Sequence, residues 1–584
     1  MAGFLLGPVF QPPLGLLSSP PMRAVTTNLS NALMDTIQHG YSNFGNFSAN
    51  SSAISITALS TEDDGNSPFF DFQFSSPFLN RSAGSTEIVN STSMYRIGSI
   101  SKLFTVYTLL VNYGWEHWDE AITQYLPELQ DVTNLPGDTS LTSVDWSKIT
   151  VGDLASQLSG IGRDYSYGDV ATLDIPWNES GLPPLPSENI PRCGGNSSAP
   201  PCDRDEYFHG LLQRAPVILP QTTPIYSNTA FRILGYILGA ISNIPFDKLL
   251  DSTVLRPLNL TTTSYVIPAE GSWVIPNGDS AWYQNTSDET PTAGMYSSSS
   301  DLANFGRDIL LSKQLSTLET RRWMKPNSHT STLSYSVGSP WEILRTKSQI
   351  SHGHTIDLYT KSGSLGQYNS LLVVSQDYGV ALSIMTAGSS SSAVMEVVSE
   401  MVLQTLIPAL ENQMLLEECD RLCGIYSSSD QNKNSSLTLS VDTNGLQIER
   451  WINRGVDFLA AIQTYASQTN SPPIQRVLLQ ATNLESPSDG QDGGFRRVRY
   501  RAIFETSTSE RAGPTRIMPQ SANQWATIDT PMYGEIAFDD FIFHFDHAGN
   551  AFAIEPRVMR DTLLTADRES SNFSRFTYRM GPES

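Results

Sequence analysis

A chain of 584 residues is long enough for more than one packed core, and its formal net charge of −23 excludes partners that require a basic surface, nucleic acid and anionic membrane among them. With 39% hydrophobic and 16% charged residues, the composition is that of an ordinary globular protein, neither fibrous nor disordered. No uninterrupted apolar run approaches the ~18 residues of a membrane span; the nearest, Ile233–Ile241, is half that length and reads as a core helix.

Met1–Pro13 has no basic segment, only a short apolar stretch, and prolines from Pro8 onward, so it does not read as a signal peptide. Against that stand eleven Asn-x-Ser/Thr sequons: Asn28, Asn46, Asn50, Asn80, Asn90, Asn178, Asn196, Asn259, Asn285, Asn434 and Asn572. They suit a glycoprotein of the secretory pathway. The expectation is a secreted protein whose targeting segment lies outside this sequence; the alternative is a cytoplasmic one.

Residues 20–50 hold a helix around Leu33–Ile37, and the runs 53–58 and 69–74, parted by acidic and glycine residues, read as a hairpin. The next stretch, Met94–Tyr107, carries Ser99 and Lys102 at the head of an apolar run. On a helix those positions share one face, at an end whose free N–H groups favour negative charge. A buried lysine has its pKa drawn down from about 10.4 and can accept the serine proton. Of the eight lysines, Lys102 alone has a serine three residues before it. Trp118–Leu129 and Ile149–Leu154 read as further helix starts, and 163–205, rich in proline, as a long irregular segment.

Tyr226 and Asn228 then stand two apart before an apolar helix that ends near Ile241. The phenol suits acid–base work and the amide can orient a carbonyl or hold Lys102; in the plain reading the tyrosine packs on the helix and the asparagine caps it. Tyr41-Ser42-Asn43 repeats the same letters, but it precedes Ser99 and leads into no apolar helix, so it is set aside. Strands follow at 359–368, 370–374 and 380–385. Lys361-Ser362-Gly363-Ser364 would place a cation beside the nucleophile, a glycine where backbone approaches a ligand, and an N–H able to serve as an oxyanion donor. His352-Gly353-His354 with Asp357 lacks further ligands and reads as a loop entering a strand. Four cysteines allow three pairings; proximity favours Cys193–Cys202 and Cys419–Cys423, the second requiring a non-helical end near Gly424. From about 420 onward alternating runs at 437–441, 446–448, 477–479, 500–504, 535–538, 541–545 and 551–554 describe an all-β appendage, and Arg496–Arg501 one exposed strand in it.

Ser99-Ile100-Ser101-Lys102, Tyr226-Ser227-Asn228 and Lys361-Ser362-Gly363, in that order, resemble the serine β-lactamase and penicillin-binding-protein superfamily, in particular its class C-like branch. Arg96-Ile97-Gly98, Leu158-Ser159-Gly160 and Gly294–Ser298 are weaker echoes, and the layout is similar to fungal members with a β-rich tail. The resemblance implies an α/β (α+β) sandwich, an antiparallel sheet flanked by helices over residues 20–415, followed by a β domain over 420–584. It implies Ser99 as nucleophile, Lys102 and Tyr226 as general base and acid, Lys361 as electrostatic support, and Asn228, Ser362, Gly363 and Ser364 as substrate-binding groups, with no metal and no cofactor. The expected partner is a small-molecule substrate. The expected reaction is hydrolysis of an ester, amide or lactam through an acyl-enzyme. The alternatives are an acyltransferase or thioesterase step in secondary-metabolite biosynthesis and an inactive binding protein that keeps the fold.

Overall fold

The computed structural model describes residues 7, 9–63, 65, 67–130, 139–173, 175–194, 200–348, 350, 354–468, 471–486, 496–506 and 524–565. Leu5, Leu6 and Pro8 of the N-terminal segment, the sequons Asn196 and Asn572, and His352-Gly353 lie outside those residues.

An eight-stranded antiparallel sheet forms the centre of the N-terminal part. Its strands are β1 (Ser52–Ser60), β2 (Phe70–Phe74), β3 (Ser328–His329), β4 (Tyr335–Val337), β5 (Glu342–Lys347), β6 (Thr355–Leu365), β7 (Tyr368–Ser375) and β8 (Val380–Gly388). The order across the sheet is β2-β1-β8-β7-β6-β5-β4-β3. The N-terminal hairpin is thus completed only by the last strand, with Ser60 opposite Val380 and Ser52 opposite Gly388. β1 and β8 are buried along their whole length, and successive residues point to opposite faces. Leu372, Val374 and Met385 join one apolar cluster with helices α2 (Ser101–Tyr113), α3 (Asn228–Ser242) and α4 (Ser299–Leu310). Val373, Leu382 and Ile384 join another with α1 (Pro20–His39) and α5 (Ser391–Leu422).

α1 starts because Ser19 accepts a hydrogen bond from the Met22 N–H and two prolines fill its first positions; it stops at Gly40, whose φ of 70° is left-handed. α5 buries Val394, Val398, Val402, Leu406, Leu410, Met414, Glu418 and Leu422, a stripe in steps of four. By length and composition alone it would also suit a membrane span; among the described residues this stripe belongs to the cluster that joins sheet, α1 and barrel. The expected boundary between 415 and 420 falls inside this one helix.

Residues 118–129 are not a helix. They form turns and the 3₁₀ pieces Ile122–Gln124 and Pro127–Leu129, because Pro127 forces Leu126 into extended backbone (φ −123°, ψ 101°). Residues 163–173, 175–194 and 200–203 are irregular apart from short turns, and the Cys193–Cys202 disulfide ties the last two of these stretches together. Cys419 and Cys423 are also bonded, with Cys423 in extended backbone just past the helix end.

The C-terminal part is a closed antiparallel barrel: β9 (Gly424–Ser428), β10 (Ser436–Asp442), β11 (Gly445–Asn453), β12 (Val456–Asp457), β13 (Ile474–Glu485), β14 (Arg496–Thr506), β15 (Asp540–Phe545), β16 (Ala551–Pro556) and β17 (Leu563–Thr565). The sheet runs β10-β9-β17-β16-β15-β14-β13-β11-β12, and pairing of β10 with β11 closes it. Two details differ from expectation. Residues 535–538 form only an isolated bridge, and 458–468 form helix α6, which stacks Phe458 on Trp451 with ring centroids 4.5 Å apart. The arginine-rich strand β14 is half-exposed: Val498 and Tyr500 point inward, while Arg496, Arg499 and Arg501 pair with Glu485, Asp540 and Asp539.

Candidate active site

Ser99 lies in a single 3₁₀ turn, Gly98–Ile100, that runs directly into α2. The turn is held against the sheet by backbone. Gly98 has φ 51°, and a Cβ there would collide with the Ser364 nitrogen; a Cβ on Gly363 would collide with the Ile97 carbonyl and crowd the Ser99 nitrogen. The Ser370 hydroxyl adds a 2.8 Å hydrogen bond to the Ile97 carbonyl. The Ser99 turn and strand β6 therefore touch main chain to main chain, which brings the N–H groups of Ser99 and Ser364 close together.

Lys102, one helical turn on, is fully buried. Its ammonium donates to Ser99 Oγ at 3.0 Å, Asn228 Oδ1 at 2.6 Å and the Thr292 carbonyl at 2.8 Å. Burial pushes this ammonium below its usual pKa; the Lys361 charge pushes the same way, while Tyr226 and Asp164 oppose. The Tyr226 hydroxyl is hydrogen-bonded to Ser99 Oγ. Burial alone would raise this phenol, but the charges of Lys102 and Lys361 outweigh it and hold the phenol below its usual value. The lowering of the phenol depends on those cations, so Lys102 and Tyr226 titrate as a coupled pair, and the proton they share must leave before either acts as a base.

Asn228 is the first residue of α3, not its cap. Ser227 takes that role, accepting from the Ala230 N–H at 3.0 Å, which leaves the Asn228 amide free to bridge Lys102 and Asp164 (Nδ2 to Oδ1 2.8 Å). Lys361, on β6, points its Nζ to within 5.4 Å of the Tyr226 ring centroid. It is ion-paired with Glu342 on β5 and donates to the Ser362 carbonyl at 2.8 Å. The Ser362 N–H and hydroxyl both donate to the second Glu342 oxygen, each at 2.8 Å. Burial would raise the Glu342 carboxyl; Lys361 and Ser362 together hold it below the usual range.

The structure thus gathers Ser99, Lys102, Tyr226, Asn228, Lys361, Gly363 and Ser364, and turns the Ser362 hydroxyl onto a carboxylate instead of leaving it unengaged. Tyr41 is exposed in a separate two-residue hairpin. Four participants were not among the expected site residues, although Arg96 belongs to one of the weaker echoes. Glu342 is an isolated acid whose role depends on strand register, opposite Thr360. Asp164 and Arg163 sit at the start of a segment that shows only irregularity; Arg163 lies over the Tyr226 ring at 4.8 Å, 3.4 Å from Asp164. Arg96, buried and stacked at 4.3 Å on Tyr296, donates to the carbonyls of Ala281, Gln284 and Gly294 and so fixes the segment that presents Thr292. Behind that segment is a cavity of about 780 Å³ lined by Arg232, Tyr236 and Tyr265; the Ser99 cluster does not line it.

The Beta-lactamase family model matches residues 76–404, and that described as "Beta-lactamase-like-like, C-terminal domain" matches 416–567. A "Beta-lactamase-like protein" of Arthroderma benhamiae is 26% identical over 580 residues, covering 96% of this chain and 95% of its own. "Probable hydrolase M10" of a Phoma species is 28% identical over 436 residues, 73% of this chain and 70% of its own. "Probable hydrolase clz13" of Cochliobolus lunatus is 24% identical over 584 residues, 93% and 90% of the two chains. With more than half of its length matched, the chain belongs to the β-lactamase family.

Proposed function

We propose that this chain, a hydrolase of the β-lactamase superfamily, cleaves an ester, amide or lactam by forming a covalent acyl-enzyme on Ser99. The observation that carries the reading is that Ser99 Oγ stands within hydrogen-bond reach of two groups that can take its proton once deprotonated, Lys102 as the neutral amine, 3.0 Å away, or Tyr226 as the phenolate. Ser99 Oγ gives its proton to that pair and adds to the carbonyl carbon. The resulting oxyanion rests on the N–H groups of Ser99 and Ser364, and collapse expels the leaving group with the proton returned through Tyr226. Water, deprotonated by the same pair, then releases the acid. Asn228 keeps Lys102 aimed at the nucleophile.

A second reading, transfer of the acyl group to an alcohol or amine, is favoured by one feature. A polar cleft of about 670 Å³ opens beside Ser364, lined by Gln367, Asn369, Ser389 and Ser391, hydroxyl and amide groups suited to a polar acceptor. The two disulfides support a place in the secretory pathway, where the sequons would carry glycans.

The test is intact-protein mass spectrometry after brief exposure to an activated ester. The wild type gains one acyl group on Ser99 and Ser99→Ala gains none. A folded Ser99→Ala enzyme that still turns over through a covalent intermediate overturns the reading. Adding alcohols and analysing products separates hydrolysis from transfer.

A further inference from the structure

We infer that Glu342 is a specificity residue: its carboxylate fills, from within the chain, the anion-binding position made by Lys361 and Ser362, so the site accepts acyl groups that carry no negative charge near the scissile carbonyl. The inference rests on the acyl-enzyme reading and names its substrate class. Three donors face one another where β5 meets β6: the Lys361 ammonium, the Ser362 N–H and the Ser362 hydroxyl. Such a set, on the strand that also supplies the Ser364 N–H, would bind a substrate carboxylate well. All three are already engaged by Glu342. The Glu342 main chain is fixed too, since the Thr360 hydroxyl donates to its backbone carbonyl at 2.6 Å and the two residues are register partners. Lys361 is 1% exposed, so no vacant direction remains from which a second anion could approach it.

The remaining charges lead to the same result. Arg163, the exposed cation at the mouth, is paired with Asp164, and Asp164 is tied in turn to Asn228. Lys102 is enclosed by Ser99, Asn228 and Thr292. An incoming carboxylate therefore meets Glu342, and among the described residues of this cluster the donors of Lys102, Arg163 and Lys361 are already engaged, so nothing is left to compensate the like charge.

The experiment has two arms. In the first, kcat/KM is measured for nitrophenyl pentanoate and for the analogue whose terminal methyl is a carboxylate. The wild type should favour the neutral ester by ~100-fold or more, each tenfold being about 1.4 kcal/mol. Glu342→Gln should narrow that ratio at least tenfold, chiefly through KM for the anionic ester, whereas a merely structural role would lower both substrates and leave the ratio unchanged. In the second arm, which needs no Ser99 chemistry, benzoate is titrated calorimetrically. Glu342→Ala should bind it saturably, while the wild type and Glu342→Ala/Lys361→Ala should not; should Glu342→Ala fail to fold, Glu342→Gln replaces it. Equal use of both esters by the wild type, or no benzoate binding by the folded Glu342 variant, overturns the inference. If neither ester acylates Ser99, the catalytic reading fails and the benzoate arm alone decides this one.

Discussion

At the scale of single residues, the site depends on how one cluster manages positive charge. Lys102 and Lys361 lie 4.9 and 5.4 Å from the centroid of the Tyr226 ring, and each lowers the proton affinity of the phenol. Lys102→Ala and Tyr226→Phe should each slow acylation by ~10²–10⁴-fold, the usual worth of acid–base help, and the double variant should lose little more, because the groups act as one unit. The pH profile follows from the direction of the shifts. Acylation requires loss of the shared proton, so kcat/KM should rise through an alkaline-going limb that lies below the ordinary range of lysine and tyrosine. The Lys361 charge lowers both partners, so removing it in Lys361→Gln should move the limb to higher pH. A limb that stays in place, or moves down, contradicts the arrangement.

At the scale of elements, the decisive contact is between a turn and a strand. Gly98 and Gly363 let the two backbones touch, and a methyl on either would push Ser99 and Ser364 apart. Gly363→Ala should therefore lower the melting temperature and reduce acylation by more than its stability loss explains; a folded Gly363→Ala with wild-type kcat/KM would show that the close approach is not needed. This level also separates what could be read in advance from what could not. Ser99–Lys102, Tyr226–Asn228 and Lys361–Gly363 are each local, with spacing that carries its own chemical meaning, so they were legible together with the hairpin and most barrel strands. Glu342 was not, because it acts across a strand pair and nothing in its neighbours Trp341 and Ile343 fixes which residue it faces. Helix α6 was missed for a similar reason: Phe458, Ile462 and Ala466 have helical spacing, but they lie amid alternating segments whose pattern dominated the reading. The 3₁₀ pieces at 122–129 follow from a single proline.

At the scale of the molecule, the barrel is joined to the catalytic half by more than a linker. The cluster that begins at Ile54 and Ile384 in the sheet continues along Val398, Leu406 and Met414 of α5 to Tyr426, Trp451 and Phe543 in the barrel. The two halves should therefore unfold together, and scanning calorimetry should show one transition. Truncation after residue 415 removes Glu418 and Leu422 and strips the apolar end of α5, so that fragment should be insoluble or molten; a soluble, cooperatively folded 1–415 fragment would show that the halves are independent. No candidate catalytic side chain described above comes from the barrel.

The strand order has one more consequence, and it concerns time. β1 is buried on both faces, and β2 covers only one of its edges; the other waits for β8, with Ser60 paired to Val380. At a synthesis rate of ~5–20 residues per second, β1 leaves the ribosome roughly 15–65 s before its partner exists. During that interval a nine-residue edge with no charged side chain is open to any other strand, the situation from which aggregation starts. Producing this protein in a fast-translating host should therefore yield less soluble material than slowing the same message, even though the finished fold is unchanged.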